Sequence, residues 1–317
     1  MPFLAEAQSY SFSQFFSTPL ALNPALNGSA QTRFRFSGNF RNQWMYGGTP
    51  YLTGSLGVET KILASQLPEY HGWGVGAGVL MDQSNGGGLT YSMYSLGTAY
   101  HVALDASGVQ TFGVGIQGTF NQRSINLNRL TFENQFGSGG FNSSVSIGEA
   151  FQNLTRSYMD IHAGLLYQYN GDRVQFNIGG ALYNILEPRS NSSLTEYILP
   201  RRFVLHSGFN TDITEGMGLM GSLTSMSVSG LSNLTAGLAL RKDLESFSLM
   251  GGCWYRLGDA IIPYVGLNTN GFTVGISFDN TVSGLRTVSQ TRNAFELGMI
   301  FTPMREYEKM KKAIPWY

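Results

Sequence analysis

The stretch of sequence that decides the fold is Phe272-Thr273-Val274-Gly275-Ile276-Ser277-Phe278-Asp279, in which bulky apolar residues alternate with small or polar ones. Successive side chains of a β-strand point to opposite faces, so a strand here has one apolar and one polar face. This alternation, over about ten residues, is typical of a transmembrane β-barrel, whose strands meet lipid on one side and a polar lumen on the other. The segment 293–302 repeats it. We therefore expect both segments to belong to an all-β, membrane-spanning barrel.

Segments with the same alternation recur along the chain and predict a transmembrane antiparallel β-barrel of about fourteen strands. The predicted strands are 32–44, 51–60, 72–82, 89–102, 109–122, 157–169, 173–183, 202–213, 217–226, 232–241, 247–256, 260–268, 272–279 and 292–302. Long connections at 123–156, 184–201 and 280–291 follow odd-numbered strands, whereas 170–172 and 269–271 are tight hairpin turns. Bacterial barrels alternate long external loops with short periplasmic turns, so we expect both termini of the chain in the periplasm. The link 61–72 is longer than this alternation predicts.

Composition agrees with such a barrel. The chain has 317 residues and a net charge of +0, so no overall field favours nucleic acid, and we expect no nucleic-acid partner. Only 13% of residues are charged, while 40 are glycine. In the predicted register the charged side chains of the strands point to the lumen, where they avoid a cost of roughly 2–4 kcal/mol each at the lipid midplane. A soluble β-sandwich or solenoid with similar alternation remains the alternative.

The two ends of the chain carry separate expectations. Residues 1–7 resemble the last part of a secretory signal, with Ala5 and Ala7 in the cleavage positions, and an ordinary start followed by a tail is the alternative. Residues 8–31 are predicted to be a periplasmic N-terminal segment or a plug, ahead of a barrel at 32–302. Residues 303–317 are predicted to be a periplasmic tail, either a short partner-binding helix or a frayed end.

Several short motifs occur along the chain in a fixed order. They are Phe12-Ser13-Gln14-Phe15, Asn23-Pro24-Ala25, Phe40-Arg41-Asn42-Gln43-Trp44, Gly252-Cys253-Trp254-Tyr255-Arg256, Tyr264-Val265-Gly266-Leu267 and Val282-Ser283-Gly284-Leu285. Together they resemble the PorP/SprF family of Bacteroidota. The resemblance implies an outer-membrane protein of the type IX secretion and gliding motility machinery. Its expected partners are outer-membrane lipid, secreted surface proteins that it helps to export or anchor, and other components of the machinery. The tail 303–317 is not part of the family pattern.

Three groups of residues are candidate functional sites. Arg33, Arg35 and Arg41 alternate along the first strand and predict a basic lumen wall, which either holds an acidic peptide or pairs with lumen carboxylates. The longest loop carries aromatic residues among glycine and serine, which predicts a partner-binding loop or a lid over the lumen. These residues are Phe132, Phe136, Phe141 and Phe151. Asn23, Pro24 and Gly28 predict a turn that folds back as a plug or leads into the first strand.

Enzyme and cofactor motifs are missing from the sequence. The four histidines are too scattered for metal-ligand spacing, no G-x-S-x-G motif occurs, and the glycine-rich stretch 72–78 has no helix pattern after it. We therefore expect no catalytic residue, no metal and no cofactor. Trp44, Trp73 and Trp254 are predicted to lie in interfacial aromatic girdles. Besides protein secretion, the sequence leaves open a small-molecule channel or transporter and a structural outer-membrane protein.

Overall fold

A computed structural model describes residues 11–30, 32–44, 50–130, 135–137, 140–142, 145, 154–191, 196–282 and 293–303. Within these ranges, fourteen antiparallel strands form one closed barrel. The strands are β1 (Phe34–Gln43), β2 (Tyr51–Ile62), β3 (Gly72–Ser84), β4 (Leu89–Ala103), β5 (Gln110–Ile125), β6 (Leu154–Asn170), β7 (Val174–Tyr183), β8 (Arg202–Thr214), β9 (Met217–Val228), β10 (Leu231–Asp243), β11 (Ser248–Arg256), β12 (Ala260–Thr269), β13 (Phe272–Thr281) and β14 (Ala294–Phe301). The predicted fold is confirmed. Both ends of each predicted strand lie within three residues of the ends of the corresponding observed strand.

Each strand pairs with its neighbours in sequence, and the sheet closes where β1 pairs with β14. This closing register runs from Phe36 opposite Phe301 to Gln43 opposite Ala294. Closure gives every strand a partner on both sides, which removes the open sheet edges that lipid cannot hydrogen-bond. No helix in the described ranges is long and apolar enough to cross a membrane.

The two faces of the strands are sorted as the sequence predicted. In β13, Phe272, Ile276 and Phe278 are exposed on the outside of the barrel. Thr273, Ser277 and Asp279 point inward and are buried. The same sorting holds around the wall, because aliphatic and aromatic side chains dominate its exposed surface while the buried inward side chains include many polar ones. An apolar exterior is what a lipid-facing wall requires.

The connections give the barrel two different ends. The long loops that follow β5, β7 and β13 lie at one end, called here the long-loop end. The turns at 171–173, 215–216 and 270–271 lie at the other, called the short-turn end. The link that was longer than predicted, 63–71, also lies at the short-turn end. Chain direction therefore places the start of β1 and the end of β14 at the short-turn end.

The pairing between β6 and β7 is shorter than β6 itself. β6 pairs with β5 over nearly its whole length, from Leu154 to Tyr169, but with β7 only from Ala163 to Asn170. Beyond that point β7 ends at Tyr183 and the chain turns away, with the Ile185 N–H bonded to the Ile161 carbonyl at 3.2 Å. The long-loop end of β6 thus extends past its neighbour.

Candidate functional site: the filled lumen and its mouth

The lumen is occupied by the chain segment that precedes β1, residues 12–30, called here the inner segment. It forms a 3-10 turn at Phe15–Ser17, a one-turn α-helix at Pro19–Leu22 and a second 3-10 turn at Pro24–Leu26. Nearly all of its side chains are buried. Sequence analysis left open whether these residues lie in the lumen or only lead into β1, and the structure has them inside the barrel.

The inner segment runs through the barrel from the long-loop end towards the short-turn end. Ser13 bonds to Asp279, near the last residues of β13. Asn27, further along, accepts a hydrogen bond at 2.9 Å from Nε2 of His101, near the last residues of β4. The connections place the last residues of β13 at the long-loop end and the last residues of β4 at the short-turn end. The segment therefore descends the lumen before β1 turns back up through the wall.

Its beginning is held by a cluster of buried charges on four strands. Glu296 accepts hydrogen bonds from the backbone N–H groups of Ser13 and Gln14, each at 2.8 Å. Arg41 bridges Glu296 at 2.9 Å and Asp279 at 2.8 Å, and Arg256 contacts Asp279 at 3.0 Å. Two arginines and two carboxylates balance one another, which a buried ionic cluster needs.

The side chains of the inner segment complete this cluster without adding charge. The Ser13 hydroxyl contacts Asp279 at 2.7 Å and both Arg41 and Arg256 at 2.6 Å. The Gln14 amide donates to the Ser277 hydroxyl at 3.0 Å and to the Glu296 carbonyl at 3.0 Å. These bonds join the first turn of the segment to β1, β11, β13 and β14.

An apolar cluster holds the opposite side of the segment. The Phe16 ring packs against Trp254 and Tyr264, with ring centroids 5.4 and 5.6 Å away. Phe15, Leu22 and Leu26 belong to the same buried cluster, with Met220 and other inward side chains of β6 to β12. Trp254 is 1% exposed, so its predicted place in an outer girdle is wrong. It lies on the same face of β11 as the lumen-facing Arg256, two residues away.

The predicted turn at Asn23, Pro24 and Gly28 lies in the middle of the lumen. The Asn23 side chain caps the turn by accepting from the Ala25 N–H at 2.8 Å. Its amide donates to the Leu165 carbonyl and to Nε2 of His206, both at 2.9 Å. Gly28 has a positive φ of 66°, which favours glycine. The motif thus combines a local cap with bonds to β6 and β8.

Lumen-facing glycines make room for this turn. A Cβ atom at Gly115 would overlap the backbone of Pro24 and Ala25. A Cβ at Gly74 would overlap the backbone of Asn27, and one at Gly164 would overlap the Asn23 side chain. The glycine-rich stretch 72–78, noted in the sequence, lies on β3. The structure shows that the inner segment packs directly on the backbone of the wall.

The three arginines of the predicted basic wall have different surroundings. Arg35 is buried and pairs with Glu59 at 2.8 Å, and Arg41 belongs to the cluster with Asp279 and Glu296. Arg33 is exposed at the start of β1, with its guanidinium 5.6 Å from the Phe34 ring. The structure does not bring the three together as one surface, because each buried arginine already faces a carboxylate.

Of the predicted loop residues, Phe136 is 59% exposed and lies in a small hairpin with Gly140–Phe141. The side chain of Phe141 is not described, and Phe132 and Phe151 lie outside the described residues, as do residues 1–10 and the tail from 304 onward. Within the described ranges, no group of three or more His, Cys, Asp or Glu side chains could hold a metal ion.

Above the inner segment, the mouth of the barrel at the long-loop end contains a chamber of about 580 Å³. Ser11 contributes to its lining, which is otherwise formed by the ends of β3 to β10. Its aromatic and charged lining residues are Asp82, Tyr91, Arg123, Tyr158, His162, Tyr183 and Arg202. Sequence analysis did not find this site, because its residues come from strands that are far apart in the chain.

Comparisons with solved structures find barrels that align with most of this chain but share little sequence identity with it. A FadL homologue from Pseudomonas aeruginosa has 10% identity over 88% of this chain and 92% of that chain, with a TM-score of 0.47. A mutant of the monoaromatic hydrocarbon channel TodX has 12% identity over 89% and 92%, with a TM-score of 0.44. The translocator domain of the autotransporter NalP from Neisseria meningitidis has 11% identity over 85% and 88%, with a TM-score of 0.37. Likeness at this level says nothing about ligands or transport.

The family comparison is more specific. A comparison with curated proteins found no match. The family model described as type IX secretion system membrane protein PorP/SprF matches residues 4–301, which covers the inner segment and the entire barrel. The suspected resemblance is therefore confirmed, and the barrel is an outer-membrane protein. This chain belongs to the PorP/SprF family of type IX secretion system membrane proteins.

Proposed function

We propose that this barrel is a closed binding component of the type IX secretion machinery, which holds exported proteins at its long-loop end and does not conduct them through its lumen. The observation that carries the proposal is the filled lumen. The inner segment bonds to β13 and β14 through Gln14 and to β6 and β8 through Asn23. It also receives hydrogen bonds from β4 through His101 and from β5 through Gln117.

A small-molecule channel requires an open path through the lumen. The inner segment leaves little room for such a path. The glycine positions leave no space between the turn at Asn23 and the wall at Gly115 and Gly164. Displacing the segment would expose the apolar cluster around Phe16 and break several buried hydrogen bonds, each worth about 0.5–1.5 kcal/mol. The closed form is therefore favoured, and binding at the mouth and loops is the activity that remains for a rigid barrel.

The loop after β5 is the proposed partner surface, on the external side of the membrane, with the short-turn end and the tail in the periplasm. Recognition residues concentrate on loops that a rigid scaffold holds in place. Phe136 is an exposed aromatic residue of the loop after β5. With Phe132, Phe141 and Phe151 of the same loop, it would give buried contact area to an exported surface protein or to another component of the machinery.

Copurification from native membranes tests this proposal. The full chain carries an affinity tag, and mass spectrometry identifies exported proteins that come along with it. Replacing residues 131–147 with a short Gly-Ser link should abolish copurification while the barrel still assembles. Replacing residues 192–195 with a Gly-Ser link of equal length is the matched control and should retain the exported protein.

Ion conductance in planar bilayers decides between binding and conduction. The wild-type barrel should show no conductance steps, because the inner segment fills the lumen. The proposal is wrong if the wild type conducts steadily and no exported protein copurifies with it, since that result describes a channel.

A further inference from the structure

We infer that the chamber at the long-loop end binds an extended peptide segment of an exported protein through the carboxylates of that segment. This inference rests on the proposed function and adds the chemistry of the bound segment. The chamber volume of about 580 Å³ is in the usual range for a ligand pocket, roughly 300–1,000 Å³.

The charges around the chamber favour an anionic ligand. Arg123 and Arg202 line it, and Asp82 is the single carboxylate among its described lining residues. Arg156 on β6 lies directly opposite Arg123 on β5, so two positive side chains share one face of neighbouring strands. Like charges in this position destabilise a sheet unless an anion lies between them. Within the described residues, no ion pair joins Arg123 or Arg156 to a carboxylate.

Aromatic rings hold two of these arginines in place. The Arg202 guanidinium lies 4.2 Å from the centre of the Tyr183 ring, and that of Arg123 lies 5.5 Å from the centre of the Tyr91 ring. The Arg123 guanidinium, held over its ring, presents N–H groups in its own plane, and their fork geometry matches a carboxylate. The chamber therefore presents preorganised donors for a carboxylate beside tyrosine surfaces for apolar side chains.

The edge of β6 favours a polypeptide over a lipid headgroup. β6 pairs with β7 only up to Ala163, and the Ile185 N–H covers the carbonyl of Ile161. Backbone groups of alternate residues point to that side, and for residues 155, 157 and 159 the described part of the chain offers no backbone partner there. An extended peptide can add to such an edge through main-chain hydrogen bonds. Arg156 and Tyr158, on the same stretch, face the lumen as neighbours of Arg123 and Asn121.

The test measures binding of short synthetic peptides to the full chain in lipid nanodiscs. The probe is a labelled peptide of alternating valine and glutamate with a free C-terminal carboxylate. One comparison peptide has glutamine in place of glutamate and an amidated C-terminus, and a second keeps the carboxylates but has methylated backbone nitrogens. The acidic peptide should bind about tenfold more tightly than either one, since the first lacks the charge-assisted bonds and the second the main-chain bonds.

Substitutions locate the binding site. The double variant Arg123→Gln with Arg156→Gln should weaken binding of the acidic peptide about tenfold or more. Arg201→Gln is the matched control, since Arg201 is exposed, pairs with Glu187 at 3.4 Å and does not line the chamber. If the double variant fails to fold, a salt titration on the wild type replaces it: affinity should fall when salt rises from about 0.05 M to about 0.5 M, because salt screens exposed charges.

The outcomes separate this inference from the proposed function. If exported proteins copurify equally with the wild type and with the double variant, the chamber is not their site, although the proposed function stands. If no exported protein copurifies with the wild type, the proposed function itself fails. Equal binding of the acidic and neutral peptides overturns the inference, as does binding of purified lipopolysaccharide through the same arginines without binding of the peptide.

Discussion

Two glycine-to-alanine substitutions on β5 should have opposite effects on stability. Gly115 points into the lumen, where a Cβ atom would overlap the backbone of Pro24 and Ala25. Gly118 lies three positions further along the same strand, on the outer face, and a Cβ there would meet nothing within 4 Å. The two sites share a strand and a backbone environment, so they differ mainly in the presence of the inner segment.

The magnitudes follow from the surroundings of each site. Replacing glycine by alanine at a compatible position stabilises a protein by about 0.4–1 kcal/mol, because the unfolded chain loses conformational freedom. Gly118→Ala should gain this amount. At Gly115 the obstructing atoms belong to the buried backbone of a turn that Asn23 fixes to β6 and β8, so they cannot rotate away. Overpacking of this kind costs about 1–3 kcal/mol, which exceeds the gain and leaves a net loss.

Urea unfolding of the purified barrel in detergent, followed by tryptophan fluorescence, measures both effects. Gly118→Ala should unfold at the wild-type midpoint or above it, and Gly115→Ala below it, with an unchanged slope. Conductance in planar bilayers reports whether the displaced turn opens the lumen, and only Gly115→Ala should raise it. Equal midpoints for the two variants would show that the inner segment does not pack on β5 and would refute the reasoning.

Three further predictions concern the cap, the lipid face and the orientation. Asn23→Ala should destabilise the barrel by about 1–3 kcal/mol in the same urea assay, because the cap of the turn is lost and buried partners are left unsatisfied. Asn23→Asp keeps the capping oxygen but buries a carboxylate against the Leu165 carbonyl, so it should cost at least as much. Ile276→Arg should reduce the yield of folded barrel on heat-modifiability gels, because a lipid-facing arginine costs roughly 2–4 kcal/mol near the midplane, whereas Ile276→Leu should fold as wild type. In a Cys253→Ser background, a cysteine at Ser229 should react with an impermeant maleimide on intact cells and one at Asn270 should not; the reverse result would invert the proposed orientation.

The strands could be predicted from sequence because the membrane imposes one rule on every strand. A lipid-facing side chain must be apolar and its neighbour is free to be polar, so the alternation is visible wherever the chain crosses. Closure of the barrel follows, since lipid offers no partner to an open edge. Even the buried charges Arg41, Asp279 and Glu296 were placed on the correct face by alternation alone.

The contents of the lumen could not be predicted in the same way. Apolar residues do not recur at a regular spacing in the inner segment, because it packs through single turns and short helices that follow the shape of the wall. Trp254 was assigned to the outer surface on residue type alone, although its position beside Arg256 in the alternation pointed inward. The chamber at the mouth depends on Arg123, Arg202 and Tyr183, which approach one another only when the barrel closes. Spacing along the chain carries no signal for such a site.

The division of charge between the inner segment and the wall explains how a filled barrel can be stable. Residues 11–30 contain no charged side chain, so their entry into the lumen buries no additional charge. The wall carries its own balanced cluster, in which direct ion pairs join Arg41 to Asp279 and Glu296 and Arg256 to Asp279. Retention of the segment therefore depends on apolar packing, backbone hydrogen bonds and close contact with glycines, none of which ionic strength screens strongly. The chamber above it is the opposite case, since the half-buried Arg123 and the exposed Arg156 opposite it act on charges that arrive from outside. Salt should accordingly separate the two, weakening what binds at the mouth while the lumen beneath it stays closed.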